Sequence, residues 1–132
     1  MTMIAPRRNT VVNLRHRLNM AGGFTVRMEG TTPTDYVESG YALSLYPDRE
    51  FTFSADAKGD TVLGLLIQYA SDNRDLLSVP NNYMGAWLDT ESGKVFLDVS
   101  TVVEDKAKAL ELAGEFGQLA VYHLDSGEEI RL

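Results

Sequence analysis

Apolar and polar residues along this chain recur with two different periods, and the switches between them outline its elements. Asn9 to Met20, "NTVVNLRHRLNM", sets Val11, Leu14 and Leu18 at helical spacing, with Asn9 able to cap the segment and Gly22-Gly23 able to end it. A strand through Thr10-Val11-Val12 is the competing reading. "FTVRM" then alternates, with Phe24, Val26 and Met28 on one side and Thr25 and Arg27 on the other, which is strand periodicity. "EGTTPTDYVESG" is dense in turn residues and reads as an exposed loop. "YALSLY" and "EFTFS" are short strands separated by Pro47-Asp48.

"GDTVLGLLIQYASDN" is helical: Asp60 is the expected N-cap, and Val62, Leu65, Leu66 and Tyr69 form the apolar stripe. Gly64 inside that helix is expected where another element approaches closely, because it costs roughly 1 kcal/mol relative to Ala. "RDLLSVPNNYM" is a connection, with Leu76, Leu77 and Val79 expected against the core. Gly85 to Asp89 and Lys94 to Val99 form a hairpin across Thr90 to Gly93. In it Val95, Leu97 and Val99 share one face and Lys94, Phe96 and Asp98 the other, with Trp87 expected to anchor the unit on its neighbours. "STVVEDKAKALELAGEFGQ" is a second main helix, opened by Glu104 or Asp105, with Ala109, Leu110, Ala113 and Phe116 as its buried stripe and Gly117 at its end. "QLAVYHLD" is a last strong strand, and "EEIRL" closes the chain after a turn at Asp125 to Gly127.

Strands grouped in this way and interrupted by two helices predict an α+β fold. The expected architecture is a mostly antiparallel sheet of about five to six strands, with two main helices packed on it and an extra N-terminal helix. Residues 1–23 are expected as a basic arm or short helix, and 24–132 as a single domain. The 132 residues are 44% hydrophobic and 23% charged, ordinary for a globular domain with a sizeable core. No apolar run approaches the roughly 20 residues that span a bilayer, and no apolar segment follows the first arginines as a secretory signal would require. The absence of cysteine removes disulfides, thiolate nucleophiles and zinc–sulfur sites, and fits a reducing, cytoplasmic setting.

Charge changes the picture more. The net charge is −7, yet the first 27 residues hold five arginines (Arg7, Arg8, Arg15, Arg17 and Arg27) and no acid. The rest carries seven Lys/Arg against 19 Asp/Glu, a net of −12. Such a chain reads as a solvated acidic body with a basic arm. The arm could touch nucleic acid or an acidic partner, and the body could meet a basic surface.

Candidate chemistry is thin. Counted from Asp89, "DTESGKVFLDVS" puts Gly93 fifth and Ser100 twelfth, so it fails the calcium-loop pattern and reads as a hairpin turn. Asp89 and Asp98 lie on opposite strands of one hairpin, but an acid/base pair also needs a cleft. His16 sits among arginines, and His123 alternates with Leu119 and Val121 as a half-buried structural histidine would. No G-x-S-x-G, H-E-x-x-H, G-x-G-x-x-G or phosphate-loop motif occurs, and neither a cofactor nor a metal is expected. Tyr36, Tyr41, Tyr46, Phe51 and Phe53 cluster among acids rather than the Lys/Arg of a base-stacking platform, so core packing or a protein-binding rim is favoured.

Three features resemble small proteins of uncharacterised function encoded by bacteriophages of actinobacteria: the Gly-x-Trp-x-Asp hairpin at Gly85, the "DVS-x-VV" strand exit with its Ala-rich helix, and the closing "Q-x-A-x-Y-x-L" strand. "GTTPT…SGYALSL" at Gly30 to Leu45 is similar to their earlier segment. The resemblance spans residues 30–132 and supplies no catalytic residues. It implies a phage or prophage accessory protein made in the bacterial cytoplasm. The leading expectation is a non-enzymatic protein that binds a host or phage macromolecule and modulates host physiology or defence. The expected partner-binding residues are Arg7, Arg8, Arg15, Arg17, Tyr36 and Tyr41. The alternatives are nucleic-acid binding through the basic arm and a small enzyme using Asp89, Asp98 or His123. No membrane contact is expected, and an exposed edge strand leaves room for a homo-oligomer.

Overall fold

The structure, a computed structural model, describes residues 11–132. Asn9, Arg7 and Arg8 lie outside the described residues. Among the described residues the fold is α+β, with an antiparallel sheet of eight strands and four α-helices, so the sheet is larger than the sequence pattern indicates. Helix α1 (Val11–Ala21) leads into β1 (Gly23–Glu29), β2 (Thr32–Tyr36), β3 (Tyr41–Leu43) and β4 (Phe51–Ser54). Helices α2 (Gly59–Asp72) and α3 (Arg74–Leu77) precede the long hairpin β5 (Asn82–Asp89) and β6 (Lys94–Val103). Helix α4 (Lys106–Glu115), β7 (Ala120–His123) and β8 (Glu128–Arg131) complete the chain. Among the described residues no helix is long and apolar enough to cross a membrane.

The strand order is β2-β1-β5-β6-β3-β7-β8, with β4 also paired to β6. Strand β6 is the spine. It pairs along its length with β5 on one side, and on the other with β4 near Lys94–Leu97 and β3 near Thr101–Val103. Register then decides which side chains share a face. Val95, Leu97 and Val99 lie opposite Leu88, Ala86 and Met84, and all but the partly buried Leu88 are buried with Phe24, Val26 and Met28 of β1. Leu14 and Leu18 of α1, Val62, Leu66 and Tyr69 of α2, and Leu77 of α3 close over this set. Further along the same face of β6, Val103 joins Leu43, Val121, Ala109 and Ala113 in a second core under α4. Strand residues two apart point the same way, so both helical groups cover one face, and among the described residues the other carries no helix.

Several sequence expectations change in this frame. Helix α1 forms, and it packs on the body through Leu14 and Leu18. The segment expected as a loop contains β2, an edge strand whose one buried residue is Pro33, seated opposite Met28. Helix α2 begins at Gly59, with Lys58 at its N-cap position, so Asp60 falls in the first turn and is not the cap. Gly64 is exposed and meets nothing within 4 Å, so no neighbour explains it. Val79 is 43% exposed, whereas Leu77 is buried. The cap of α4 is Asp105, whose carboxylate accepts from Ala107 N at 3.1 Å. Ser100 to Val103 extend β6 instead of joining that helix. Phe116 is 55% exposed, because α4 stops at Glu115 and Gly117 turns the chain with φ of +67°.

Candidate functional site

Of the expected partner-binding residues Arg15, Arg17, Tyr36 and Tyr41 are described, and only Arg17 and Tyr36 meet. The Arg15 guanidinium lies against Gly59 at the start of α2, at the rim of an apolar hollow of about 260 Å³. Arg17 pairs with Glu38 and lies over the Tyr36 ring, 4.0 Å from its centroid. Burial raises the Tyr36 hydroxyl above its ordinary pKa, and the Arg17 charge partly opposes this. Tyr41 is far from these in the sheet order, on β3, with its ring stacked on His123 at 4.6 Å.

The candidate catalytic groups are also apart. Asp89 accepts from Glu91 N at 3.2 Å and Ser92 Oγ at 2.8 Å, so it orders the hairpin turn. His123 faces Ser126 Oγ at 2.9 Å through Nδ1 and Asp125 at 3.1 Å through Nε2, while Asp125 also accepts from Gly40 N at 2.8 Å. That histidine ties β7 to its turn, as a structural residue would. His16 is exposed. Asp89 is four residues along β5 from Gly85, the residue paired with Asp98, which is about 13 Å at strand rise. Among the described residues no group of three or more His, Asp or Glu is arranged to hold a metal ion.

A shallow depression of about 560 Å³ beside β4 and the end of α2 is lined by Asp48, Glu50, Asp72 and Asp75 around a single Arg49. Its one cation is already spent. Arg49 donates twice to Asp75, at 3.0 and 2.9 Å, and once to Asn73 Oδ1 at 3.0 Å. Those bonds hold the Asp75 carboxyl down to about 2. Tyr69 Oη donates to Arg49 O at 2.7 Å, and burial first, then the charge of Asp98, raises its pKa.

The uncovered face of the sheet is different. Trp87 is paired with Gly23 of β1 on one side and Phe96 of β6 on the other. Its ring and that of Phe96 are nearly parallel, 4.4 Å apart with 10° between planes. That spacing is close to the 4.7–4.9 Å between strands, so the two rings stand side by side across the sheet. The only tryptophan of the chain is 46% exposed, because it projects from the face without helices. The neighbour it rests on is Phe96 of the same hairpin, and it does not enter the core. Its second ring face turns toward β1, where Gly23 offers no side chain.

One step along the strands, Thr25, Gly85 and Asp98 form the next row. The Asp98 carboxylate lies in the hollow left by Gly85, where a Cβ would overlap it and approach Ser100 Oγ to 2.8 Å. Ser100 Oγ donates to Asp98 Oδ1 at 2.7 Å. Asp98 keeps part of its surface accessible, but its carboxyl group is desolvated. That burial raises its pKa above the ordinary carboxylate range, the Glu50 charge adds to the rise, and the Ser100 bond opposes it. No cation is hydrogen-bonded or ion-paired to it among the described residues. The sequence reading missed this constellation, although counting inward from the four-residue turn pairs Asp89 with Lys94 and therefore Gly85 with Asp98.

The fold and this face together define an α+β domain with one helix-covered and one open sheet surface, the open one carrying an aromatic stack beside a buried carboxylate. No protein-family model, curated protein or solved structure matches the chain.

Proposed function

We propose that this chain is a non-enzymatic binding protein that docks a protein partner on the open face of its sheet. The observation that carries this reading is Trp87, a large aromatic side chain stacked on Phe96 and 46% exposed on that face. Interface hot spots are enriched in tryptophan surrounded by smaller contacts that exclude water. Thr25 and Thr52, in the rows around Trp87 and Phe96, are suited to such a rim. In keeping with the resemblance to actinobacteriophage proteins, the chain acts as a phage or prophage accessory protein in the bacterial cytoplasm. Its partner is a host or phage protein, through which it modulates host physiology or defence. The nucleic-acid alternative draws less support, since Arg17 is committed to Glu38 and Tyr36. The enzyme alternative loses its premise, since Asp89, Asp98 and His123 do not share a pocket.

A photo-crosslinking residue placed at Thr25, on the open face, tests the proposal in cells when compared with one at Glu111 on α4. A discrete adduct at Thr25 that disappears on Trp87→Ala, with none at Glu111, is the expected result. Adducts that form only at Glu111, or that survive Trp87→Ala unchanged, would overturn it.

A further inference from the structure

We infer that the free face of Trp87, above Gly23, is a slot for an arginine side chain of a protein partner, its guanidinium stacked on the indole and hydrogen-bonded to the Asp98 carboxylate. The inference rests on the reading of the open sheet face as the docking surface and names the chemistry of what docks there.

Three observations select the group. The first is shape. Phe96 occupies one face of the indole at 4.4 Å, and the neighbouring strand position on the other side is a glycine. A Cβ at Gly23 would strike Ala86 O at 2.6 Å, so this strand position sets no side chain against the second indole face, which is left to a planar group. The second is charge. Gly23 and Gly85 are diagonal neighbours on β1 and β5, and such positions lie about 7–8 Å apart. A guanidinium against Trp87 thus has an Nη within reach of the carboxylate over Gly85. Among the described residues that carboxylate has Ser100 as its one side-chain donor and no cation. The third is the wider field. The chain carries a net −7, which favours a cationic partner and opposes the phosphates of a nucleic acid.

Arginine fits these constraints and lysine does not. A guanidinium is flat, stacks on an aromatic face and forks onto a carboxylate, whereas an ammonium is a compact, strongly hydrated point charge. The chain's own nearby cation is not a competitor. Arg27, the next open-face residue but one from Gly23 after Thr25, donates to the carbonyls of Ser78, Val79 and Asn82.

A pH dependence follows from the geometry. The ionisable groups that act on Asp98 are Glu50 before β4 and Tyr69 on α2, and strand parity puts Arg27 on β1, Tyr83 and Asp89 on β5 and Lys94 on β6 on the same face of the sheet. A bound guanidinium favours the ionised carboxylate, which its buried setting disfavours. Arginine affinity therefore rises with pH through the raised titration of Asp98, then levels off.

The test uses the full chain and the indole N–H resonance of its single tryptophan. It is titrated with N-acetyl-arginine-methylamide, the lysine counterpart and the neutral isostere citrulline counterpart. The arginine compound is expected to bind at least about fivefold more tightly than either. Asp98→Asn is expected to remove that preference. The same titration of the unmodified chain from about pH 4 to about pH 7 reads the carboxylate without any substitution. Equal affinity for the arginine and citrulline compounds, or arginine affinity independent of pH, overturns the inference. If it fails while the Thr25 adduct remains sensitive to Trp87→Ala, the open face still docks a partner, but not through arginine. If the arginine preference holds while the adduct ignores Trp87, the slot stands and the face reading falls. Concentration-dependent dimerisation abolished by Arg7→Gln with Arg8→Gln would assign the slot to a second copy and overturn the foreign partner.

Discussion

Gly85→Ala is the most informative single substitution, because the methyl group it adds collides with one carboxylate. Gly85 does not have a positive φ, so alanine meets no backbone strain there. Removing a glycine from a strand interior would by itself gain about 0.5–1 kcal/mol. Against this, the new Cβ overlaps the Asp98 carboxylate and presses on Ser100 Oγ at 2.8 Å. Overpacking of this kind costs about 1–3 kcal/mol. The balance is a destabilisation of about 1–2 kcal/mol. With Asp98→Ala in place the obstacle is gone, and Gly85→Ala should become neutral or stabilising by about 0.5–1 kcal/mol. The double-mutant cycle therefore predicts a coupling of about 2 kcal/mol. Urea unfolding followed by far-UV circular dichroism and by Trp87 fluorescence measures it. With a slope of about 2 kcal/mol per molar urea, the single variant shifts its midpoint down by about 0.5–1 M. A coupling below about 0.5 kcal/mol, the level of independent sites, would refute the placement of Asp98 over Gly85.

Asp98→Asn should stabilise the protein near neutral pH and have no such effect in strong acid. The folded pKa is raised, so the native state holds its proton where the unfolded chain has lost it, and stability falls as pH rises through that window. Equal stability of the two forms at neutral pH would refute this. For Asp75 the sign is reversed. Its depressed pKa means that the pairing contributes above the ordinary carboxylate pKa and is lost as pH falls toward about 2. A carbon-detected NMR titration should find Asp75 returning to the ordinary range in Arg49→Gln, and an unchanged titration would show that Arg49 is not the cause. Leu97→Ala, at a position with no accessible surface on the spine strand, should cost about 2–5 kcal/mol in the same urea assay. Phe116→Ser should stay within about 0.5 kcal/mol of the parent, since more than half of the residue is exposed.

The elements legible in the sequence are those whose period reports burial on one side. β1 alternates over Phe24, Val26 and Met28, and α2 repeats Val62, Leu66 and Tyr69, because each lays one face on the same core. Strand β2 was hidden because an edge strand needs little apolar surface, and its one anchor is a proline. Phe116 was misjudged because a helical stripe extrapolates past the point where Gly117 turns the chain. Trp87 was misjudged for another reason. Its size suggests a core, but strand parity puts Ala86 and Leu88 inward and Trp87 outward, and only the helices' placement on one face makes that outward side solvent.

The same parity argument bears on function. On the covered face the rows of β5 and β6 from Leu88–Val95 to Met84–Val99, with Phe24, Val26 and Met28 of β1, are filled in the ordinary way by apolar side chains meeting α1, α2 and α3. On the open face two successive rows break local rules together. Gly23 and Gly85 stand where a Cβ would strike Ala86 O and the Asp98 carboxylate, Trp87 spends a large apolar surface on solvent, and Asp98 is desolvated with no cation paired to it among the described residues. Each departure lowers stability by itself. The glycines empty the places beside the indole and beneath the carboxylate, so the departures are mutually dependent. A chain selected for stability alone has no use for the set, whereas a surface that must admit a flat cationic group needs all of it. Departures from local consistency that coincide in space are expected at functional or strained sites. Filling the hollow through Gly85→Ala with Asp98→Ala should therefore give a protein about as stable as the parent or more so, yet one that has lost its preference for the arginine compound over citrulline. Retention of that preference would separate the stability cost of this face from its function and break the link.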